Sequence, residues 1–288
     1  MNIAVLAARD SWYFRDLQRA AGERQQLTAI SYKSLASQVN GAALGIQSGD
    51  SRLSEFDDVL VRSMPPGSLE QVVFRMDALG RLEASGVRVV NSARAIEAAV
   101  DKYLATAKLQ AAGLLVPPTI VCQTAADGLA AFETLGGDVV VKPLFGGEGR
   151  GIMRVSDAAI ARRVFMSLEQ IGAVLYVQKF VPHDGVDWRL LVVGDEVLGM
   201  KRVNPDDWRT NISLGARPAP LEVTAELAQL ARRAAEAVGA TVAGVDLLPA
   251  RDGRLYAIEV NAVPGWKALG EVTGVDVAAR VLRLVANS

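Results

Sequence analysis

Lys142 ends an apolar run and a glycine-rich stretch follows it, in VVVKPLFGGEGRGIMRV over residues 139–155. Glycines let backbone N–H groups come close to an anion, so a lysine beside them points to phosphate. A P-loop carries its lysine after the glycines, with Ser or Thr opening a helix; here Lys142 comes first and Gly151 leads into IMRV. A dinucleotide-binding turn also opens a helix, whereas this loop runs into another apolar strand. What remains is a hairpin with an amide-rich tip and a lysine at its base. It can fold over a polyphosphate, or be an ordinary turn with a solvated lysine.

A second constellation lies in AGVDLLPARDGRLYAIEVNAVPG, residues 243–265. With Asp252-Gly253 as a two-residue turn, Asp246 faces Glu259, Gly244 faces Asn261 and Arg251 faces Arg254, while Val245, Leu247, Ile258 and Val260 take the opposite face. Opposed carboxylates repel unless something compensates them. Two carboxylates and an amide carbonyl suit a hard divalent cation such as Mg²⁺, held jointly with nucleotide phosphates. The alternatives are an arginine partner for one acid, or a slipped register that separates the two.

In VDWRLLVVGDEVLGMKRVN, residues 186–204, a Gly194-Asp195 turn sets Leu191 against Leu198, Arg189 against Met200 and Asp187 against Arg202, all on one face. That face could seat an adenine on Met200 and Leu198 and bring Asp187 to a ribose, or simply hold a cross-strand Asp187–Arg202 salt bridge. WRTNISLGA adds Arg209 and Asn211 in a turn-like stretch. His183, the only histidine, sits in VPHDG and reads as a loop residue rather than a base.

These residues need elements to position them. NIAVLAA, LTAISY, DVLVRS and VRVVN are strand-like and alternate with the helical SWYFRDLQRAAG and SLEQVVFRMDALGRLEASG, which argues for a parallel sheet with covering helices up to about residue 95. DKYLATAKLQAAG reads as a helix capped by Asp101 and ended by Gly113, and VPP forces an extended exit. Strand TIVC, helix TAADGLAAFETLGG, the glycine hairpin, helix SDAAIARRVFMSLEQIG and strand AVLYVQKFV follow. The two hairpins, a helix over Thr224 to Val238 and the closing GVDVAARVLRLVAN complete the chain.

The 288 residues carry 31 Lys and Arg against 32 Asp and Glu, a net charge of -1, so no global field recruits nucleic acid or a membrane. A hydrophobic content of 50% fits globular domains that each bury a core. Cys122, the single cysteine, excludes an internal disulfide; in TIVC it reads as a buried inert thiol, and a reducing cytoplasm fits. MNIAVLAARDSW lacks a basic n-region and is too short to span a bilayer, so it reads as a first strand rather than a signal.

Taken in order, DKYLATAKLQAAGLLVPPT, VVVKPLFGGEGRGI, VQKFVPHDGVDWRLLVVGDEVLGMKRV, WRTNISLGA and AGVDLLPARDGRLYAIEVNAVPG cover most of residues 101–265. This combination resembles the ATP-grasp superfamily and, within it, the RimK-type ligases that join the amino group of an amino acid, often glutamate, to an acceptor carboxylate. The resemblance implies an α/β ATP-grasp fold: an N-terminal Rossmann-like pre-ATP-grasp domain over 1–95, a central lobe with the glycine-rich loop over 96–180, and a C-terminal lobe with the metal site over 181–288.

By the same resemblance, Lys102 and Lys142 contact the nucleotide phosphates beneath a lid containing Gly147, Gly149 and Gly151. The linker of Gln178, Lys179, Phe180 and Val181 meets the adenine edge through its backbone, and Asp187 binds the ribose side. Arg202, Arg209 and Asn211 serve the phosphates or the intermediate, and Asp246, Glu259 and Asn261 hold two Mg²⁺ or Mn²⁺ ions. The implied partners are ATP, an amino acid and an acceptor carboxylate, either a small molecule or a protein tail; a homo-oligomer stays open.

Two features depart from the family pattern. Lys179 stands where an acid is frequent, and Trp266 with Lys267 looks closer to members associated with pterin or furan coenzymes than to those acting on ribosomal protein tails. The implied chemistry is attack of the acceptor carboxylate on the γ-phosphate, then attack of an amine on the acyl phosphate, with the loop from Phe145 to Gly151 excluding water. Arg62 and SMPPGSLEQ are placed to reach the acceptor, or form an ordinary surface loop. A dipeptide or D-amino-acid ligase with the same ATP site is the enzymatic alternative. A binding-only nucleotide protein is the other, and it has less need of lysines, acids and lid together.

Overall fold

The computed structural model describes residues 1–23, 25–40, 45–147 and 149–287. β1 (Asn2–Leu6), α1 (Trp12–Ala20) and β2 (Gln26–Ile30) open the chain. β3 (Leu35–Gln38), β4 (Gly45–Ser48) and β5 (Ser51–Arg52) then form a small antiparallel sheet. The sequence patterning does not announce this sheet, because its strands are short and largely polar. β6 (Asp58–Val61), α2 (Leu69–Ala84) and β7 (Arg88–Val90) complete a parallel sheet of order β2-β1-β6-β7. Its central strands β1 and β6 are buried on both faces from Ile3 to Leu6 and from Asp58 to Val61, as continuous apolar runs in a parallel sheet require, while the edge strand β2 is only half-buried. α1 starts at Ser11, whose hydroxyl accepts the Phe14 N–H, and α2 starts at a capping box of Ser68 and Gln71.

α3 (Ala93–Val100), which the sequence reading passes over, leads into α4 (Lys102–Ala111). Asp101 caps α4 by accepting the N–H groups of Tyr103 and Leu104, and Gly113 at φ +76° ends it, as expected. β8 (Thr119–Cys122), α5 (Ala125–Thr134), β9 (Val139–Lys142), β10 (Met153–Val155), α6 (Ala158–Gln170) and β11 (Leu175–Lys179) form an antiparallel sheet of order β10-β9-β11-β8 with two covering helices. Cys122 on β8 is half-buried rather than buried.

The last sheet has the order β14-β13-β12-β15-β16, from β12 (Val186–Val193), β13 (Glu196–Val203), β14 (Arg217–Pro220), β15 (Val242–Pro249) and β16 (Leu255–Asn261). α7 (Ala225–Val238), α8 (Lys267–Thr273) and α9 (Val277–Asn287) accompany it. None of the helices among the described residues is long and apolar enough to cross a membrane.

The core does not divide as the strand order suggests. The central sheet has its own core around Phe132, Phe165 and Val177. The first and last sheets instead share cores: Leu6, Leu79, Ile96 and Leu109 pack with Leu190, Val245 and Val260, and Ile3 and Leu17 pack with Leu191 and Val281. Asn91, buried beyond β7, fastens this junction. Its Nδ2–H donates to the carbonyls of Val242 (2.7 Å) and Ala262 (2.5 Å), and its Oδ1 accepts the N–H groups of Thr241 (2.8 Å) and Val242 (3.0 Å).

Replacing Asn91 by Ala strips these buried backbone groups of partners, so Asn91→Ala should lower stability by about 3 kcal/mol, read from urea unfolding.

Candidate active site

β12 lies between β13 and β15, so three strands share one register. Asp187 faces Arg202, and Arg189 faces Met200 on one side and Asp246 on the other. The Gly194-Asp195 turn and every pair expected of that hairpin are present. Asp187 takes the Arg202 guanidinium in a fork, with Nε at 2.7 Å and Nη2 at 2.5 Å, and also accepts the Thr210 hydroxyl at 2.6 Å. Arg202 reaches on to Asp246 Oδ2 at 2.8 Å, and Arg189 donates to Asp246 Oδ1 at 2.6 Å. Gly244 makes room for this: a Cβ there would lie 2.7 Å from the Arg189 guanidinium carbon. Burial pushes Asp187 up further than Arg202 draws it back, whereas two guanidiniums overcome burial at Asp246 and hold it below the usual carboxylate range.

Asp246 does face Glu259, and Gly244 does face Asn261. The route to that register differs from the expectation in two places that cancel. The turn spans three residues, Arg251 to Gly253, closed by Ala250 N–H on the Arg254 carbonyl at 2.9 Å, with Gly253 at φ +80°. A bulge then makes Ile258 an extra residue between the pairs Asp246–Glu259 and Leu247–Ala257. Ile258 therefore lines the cavity and Ala257 enters the core, the reverse of the two-residue-turn arrangement.

The cavity above this row is lined by Lys102, Lys142, Asp187, Arg202, Asp246 and Glu259, with Leu248 and Ile258 as an apolar wall and Arg209 and Asn211 at one side. Lys142 ends β9, opposite Tyr176 on β11, and donates to Gln178 Oε1 at 2.7 Å. Burial pulls its pKa down to about 8, against the attraction of Glu259. Burial also lowers Lys102, against Glu259 and Asp101. Lys102 Nζ donates to the Gly146 carbonyl at 2.5 Å, tying the glycine loop to α4.

β9 and β10 pair as the expected hairpin. Gly149, at φ +74°, lies against Asn211 so closely that a Cβ would come within 2.5 Å of Asn211 Oδ1. The loop thus reaches across the cavity to the turn of the last sheet. Gly151 is also left-handed, at φ +71°, and Gly147 has open space around it.

One expectation needs correction, and two others gain detail. Met200 is 5% exposed and packs with Leu191, Trp266 and Leu269, because the sheet face beyond Arg189 is covered by α8 and α9; Leu198 packs there too, so neither forms a platform in the cavity. The linker N–H groups of Lys179 and Phe180 are taken by the carbonyls of Pro118 and Asp138, and among the described residues only Val181 of the three keeps an unclaimed N–H. Arg209 is not a free cation: Asp207 holds it at 2.6 Å. His183, in contrast, lines the cavity, with Nδ1 accepting the Gly185 N–H at 3.2 Å, and its neighbours Trp208 and Thr210 line it as well. A histidine four residues past a strand end carries no signal in the sequence that it will turn inward.

A metal cage made wholly of protein does not form: among the described residues no three His, Cys, Asp or Glu side chains gather to hold an ion. Both oxygens of Asp246 carry a guanidinium, and Asn261 Oδ1 accepts the Val263 N–H at 2.8 Å. Glu259 differs, since its carboxylate has no ion pair or hydrogen bond among the described residues. The donor set fits a hard cation that arrives with polyphosphate, Glu259 being the open carboxylate and Asp246 and Asn261 flanking it.

A family model described as the RimK-like ATP-grasp domain matches residues 99–285. The chain is 31% identical to tetrahydromethanopterin:alpha-L-glutamate ligase of Methanosarcina acetivorans, over 100% of this chain and 98% of that one. It is 30% identical to ribosomal protein bS6--L-glutamate ligase of Escherichia coli, over 99% and 95% of the two chains. Among solved structures, the RimK domain ATP-grasp protein of Sphaerobacter thermophilus aligns with a TM-score of 0.76 at 26% identity, over 99% of each chain. The ATP-grasp ligase PsnB in complex with its minimal precursor aligns with a TM-score of 0.79 at 20% identity, also over 99% of each, and shares the fold.

The depressed pKa of Lys142 has a testable sign. Below about 8 the folded chain holds the buried charge at full cost; the cost fades as pH rises from there towards the ordinary 10.5. Lys142→Met should therefore stabilise the ligand-free protein by about 3 kcal/mol at pH 7 and by much less at pH 10, in urea unfolding, while weakening ATP binding at pH 7.

Proposed function

The chain belongs to the RimK-like ATP-grasp ligases, and on that premise we propose that it uses ATP to join L-glutamate to an acceptor carboxylate through an acyl phosphate. An acceptor oxygen attacks the γ-phosphorus and ADP leaves; the glutamate amine attacks the acyl carbonyl and phosphate leaves, the amine's proton passing to solvent or to phosphate. The observation that carries this is Glu259, a carboxylate without a protein partner among the described residues, set beside the salt-bridged Asp246 and within the field of Lys102 and Lys142. When bound, Mg²⁺ would neutralise the β- and γ-phosphate oxygens; Glu259 would hold it, with Asp246 and Asn261 alongside.

The remaining roles follow from position. Lys142 is protonated at neutral pH by the balance of burial and Glu259, and it supplies positive charge to phosphoryl oxygens at the base of the lid. Lys102 does the same from α4 while its bond to Gly146 holds the lid over the cavity. A closed lid keeps water from the acyl phosphate. Asn211 contacts the lid at Gly149, and Arg209 borders the same side. Leu248, Ile258 and the Val181 N–H support an adenine subsite, replacing Met200 in that role, and Asp187 with His183 borders the sugar. Residues 1–95 are assigned to acceptor binding, 96–180 to the lid and phosphate lysines, and 181–288 to the metal row.

For the acceptor we favour a small coenzyme-like acid over a protein tail. The tryptophan at position 266 supports that choice, while the matches to the tetrahydromethanopterin ligase at 31% and to the ribosomal protein ligase at 30% are both end to end.

Turnover should release ADP and phosphate only when L-glutamate and an acceptor acid are both present, and mass spectrometry of a metabolite extract incubated with labelled glutamate should show the tagged product. Formation of AMP would overturn the mechanism. Glu259→Ala should lower kcat about 100-fold or more with the melting temperature retained; near-normal activity with magnesium would exclude Glu259 as the ion's carboxylate.

A further inference from the structure

Arg62 stands at the carboxyl end of β6. The chain runs outward from β1 to β2 on one side of the first sheet and from β6 to β7 on the other, so the gap beyond β1 and β6 is the point where strand order reverses. Open parallel sheets bind ligands outside the carboxyl ends of their strands at such a point. Two loops meet there: residues 7–11, ending at the Ser11 cap of α1, and residues 62–68, leading to the Ser68 cap of α2. The segment after β16 closes against them, because Arg62 Nη2–H donates to the Pro264 carbonyl at 2.6 Å. Pro264 follows Asn261 by three residues, at most about 10 Å of chain, so this crevice adjoins the reactive row.

Arg62 is 6% exposed, yet no carboxylate pairs with it among the described residues. Its guanidinium packs against the edge-to-face pair of Trp266, at 4.1 Å, and Tyr13, at 5.2 Å, and its buried Nε has no hydrogen-bond partner. Burial pulls its pKa down to about 10. Arg75 stands over the same loop, also 6% exposed. It donates through Nη1 to the Pro65 carbonyl at 2.7 Å and rests over the Tyr32 ring at 5.5 Å, again without an acid. Other buried charges are treated differently: Asp58 has Arg88, and Asp187 and Asp246 share Arg189 and Arg202. A desolvated guanidinium without a counter-ion is costly to fold, and a planar fork beside a ligand crevice suits a carboxylate.

We propose that Arg62, in the loop that Arg75 pins through the Pro65 carbonyl, forms a carboxylate subsite in the crevice of the first sheet that anchors one of the two acids being ligated. The Trp266–Tyr13 pair occupies one side of the Arg62 guanidinium and the Pro264 carbonyl takes one Nη2–H, so the remaining N–H groups are the ones that can meet a carboxylate. That the bound acid is a ligation substrate rests on the ligase reading; that the subsite takes a carboxylate rests on the uncompensated guanidiniums. The anchored group is either the side-chain carboxylate of the incoming glutamate or a non-reacting carboxylate of the acceptor.

The test is calorimetric titration of glutarate, with ADP present, into the wild type, Arg62→Lys and Arg62→Gln. The lysine variant keeps the charge and the ring stacking but loses the fork, so it serves if the glutamine variant does not fold. Glutarate affinity should fall roughly 10- to 100-fold in the folded variants while ADP affinity is unchanged. In turnover, a rise in KM for L-glutamate alone, with relaxed discrimination against L-glutamine, assigns the subsite to the amino acid; a rise in KM for the acceptor alone assigns it to the acceptor. Glutarate that fails to bind the wild type, equal affinity in a folded variant, or equal loss of ADP affinity would each overturn the subsite. Absence of any glutamate transfer by the wild type would instead overturn the ligase reading and leave the glutarate result to stand.

Discussion

Four charged side chains, Asp187, Arg189, Arg202 and Asp246, interlock across three strands of the last sheet, and the site is built on them. Two negative and two positive groups leave no net charge in a buried patch, which is the condition for keeping it there. Such a cluster adds little net stability, since desolvation offsets most of the attraction, but it admits few arrangements. The Arg202 fork holds Asp187 at a fixed angle, and single contacts from Arg189 and Arg202 hold the two oxygens of Asp246. Gly244 is part of the same constraint, because only a glycine leaves space for the Arg189 head.

With Asp246 satisfied by arginines, Glu259 is the carboxylate left over, and its free charge sets the electrostatics of the cavity. It draws on Lys102 and Lys142 from the opposite side, and without it burial would depress both lysines further. The phosphate end and the cation end of the cavity are therefore one coupled system rather than two independent sites. The glycine loop closes that system through Lys102 on one flank and Asn211 on the other, and left-handed glycines are what allow the chain to lie so close.

The first sheet is joined to the last by shared cores and by Asn91, whereas the central sheet keeps a core of its own. Lys142 and the lid therefore stand on a separately packed sheet, while the N-terminal crevice packs with the strands that carry Glu259.

Much of this was legible in the sequence. The helix cap at Asp101, the Gly194-Asp195 hairpin and the β9–β10 hairpin depend on residues close in the chain, where turn chemistry and side-chain period act directly. The pairing of Asp246 with Glu259 was also determined there, though by a turn of different length whose offset the bulge at Ile258 restores. What only the tertiary structure decided concerns groups brought together from distant segments. Met200 went to the core because α8 and α9 cover that stretch of sheet, and Arg189 bound Asp246 because β12 and β15 are neighbours, which no local pattern states. His183 turned into the cavity, and Arg62 was packed against Tyr13 and Trp266, which come from opposite ends of the chain. Local periodicity sets which face a residue occupies; burial, charge pairing and access on that face depend on what the rest of the chain lays against it.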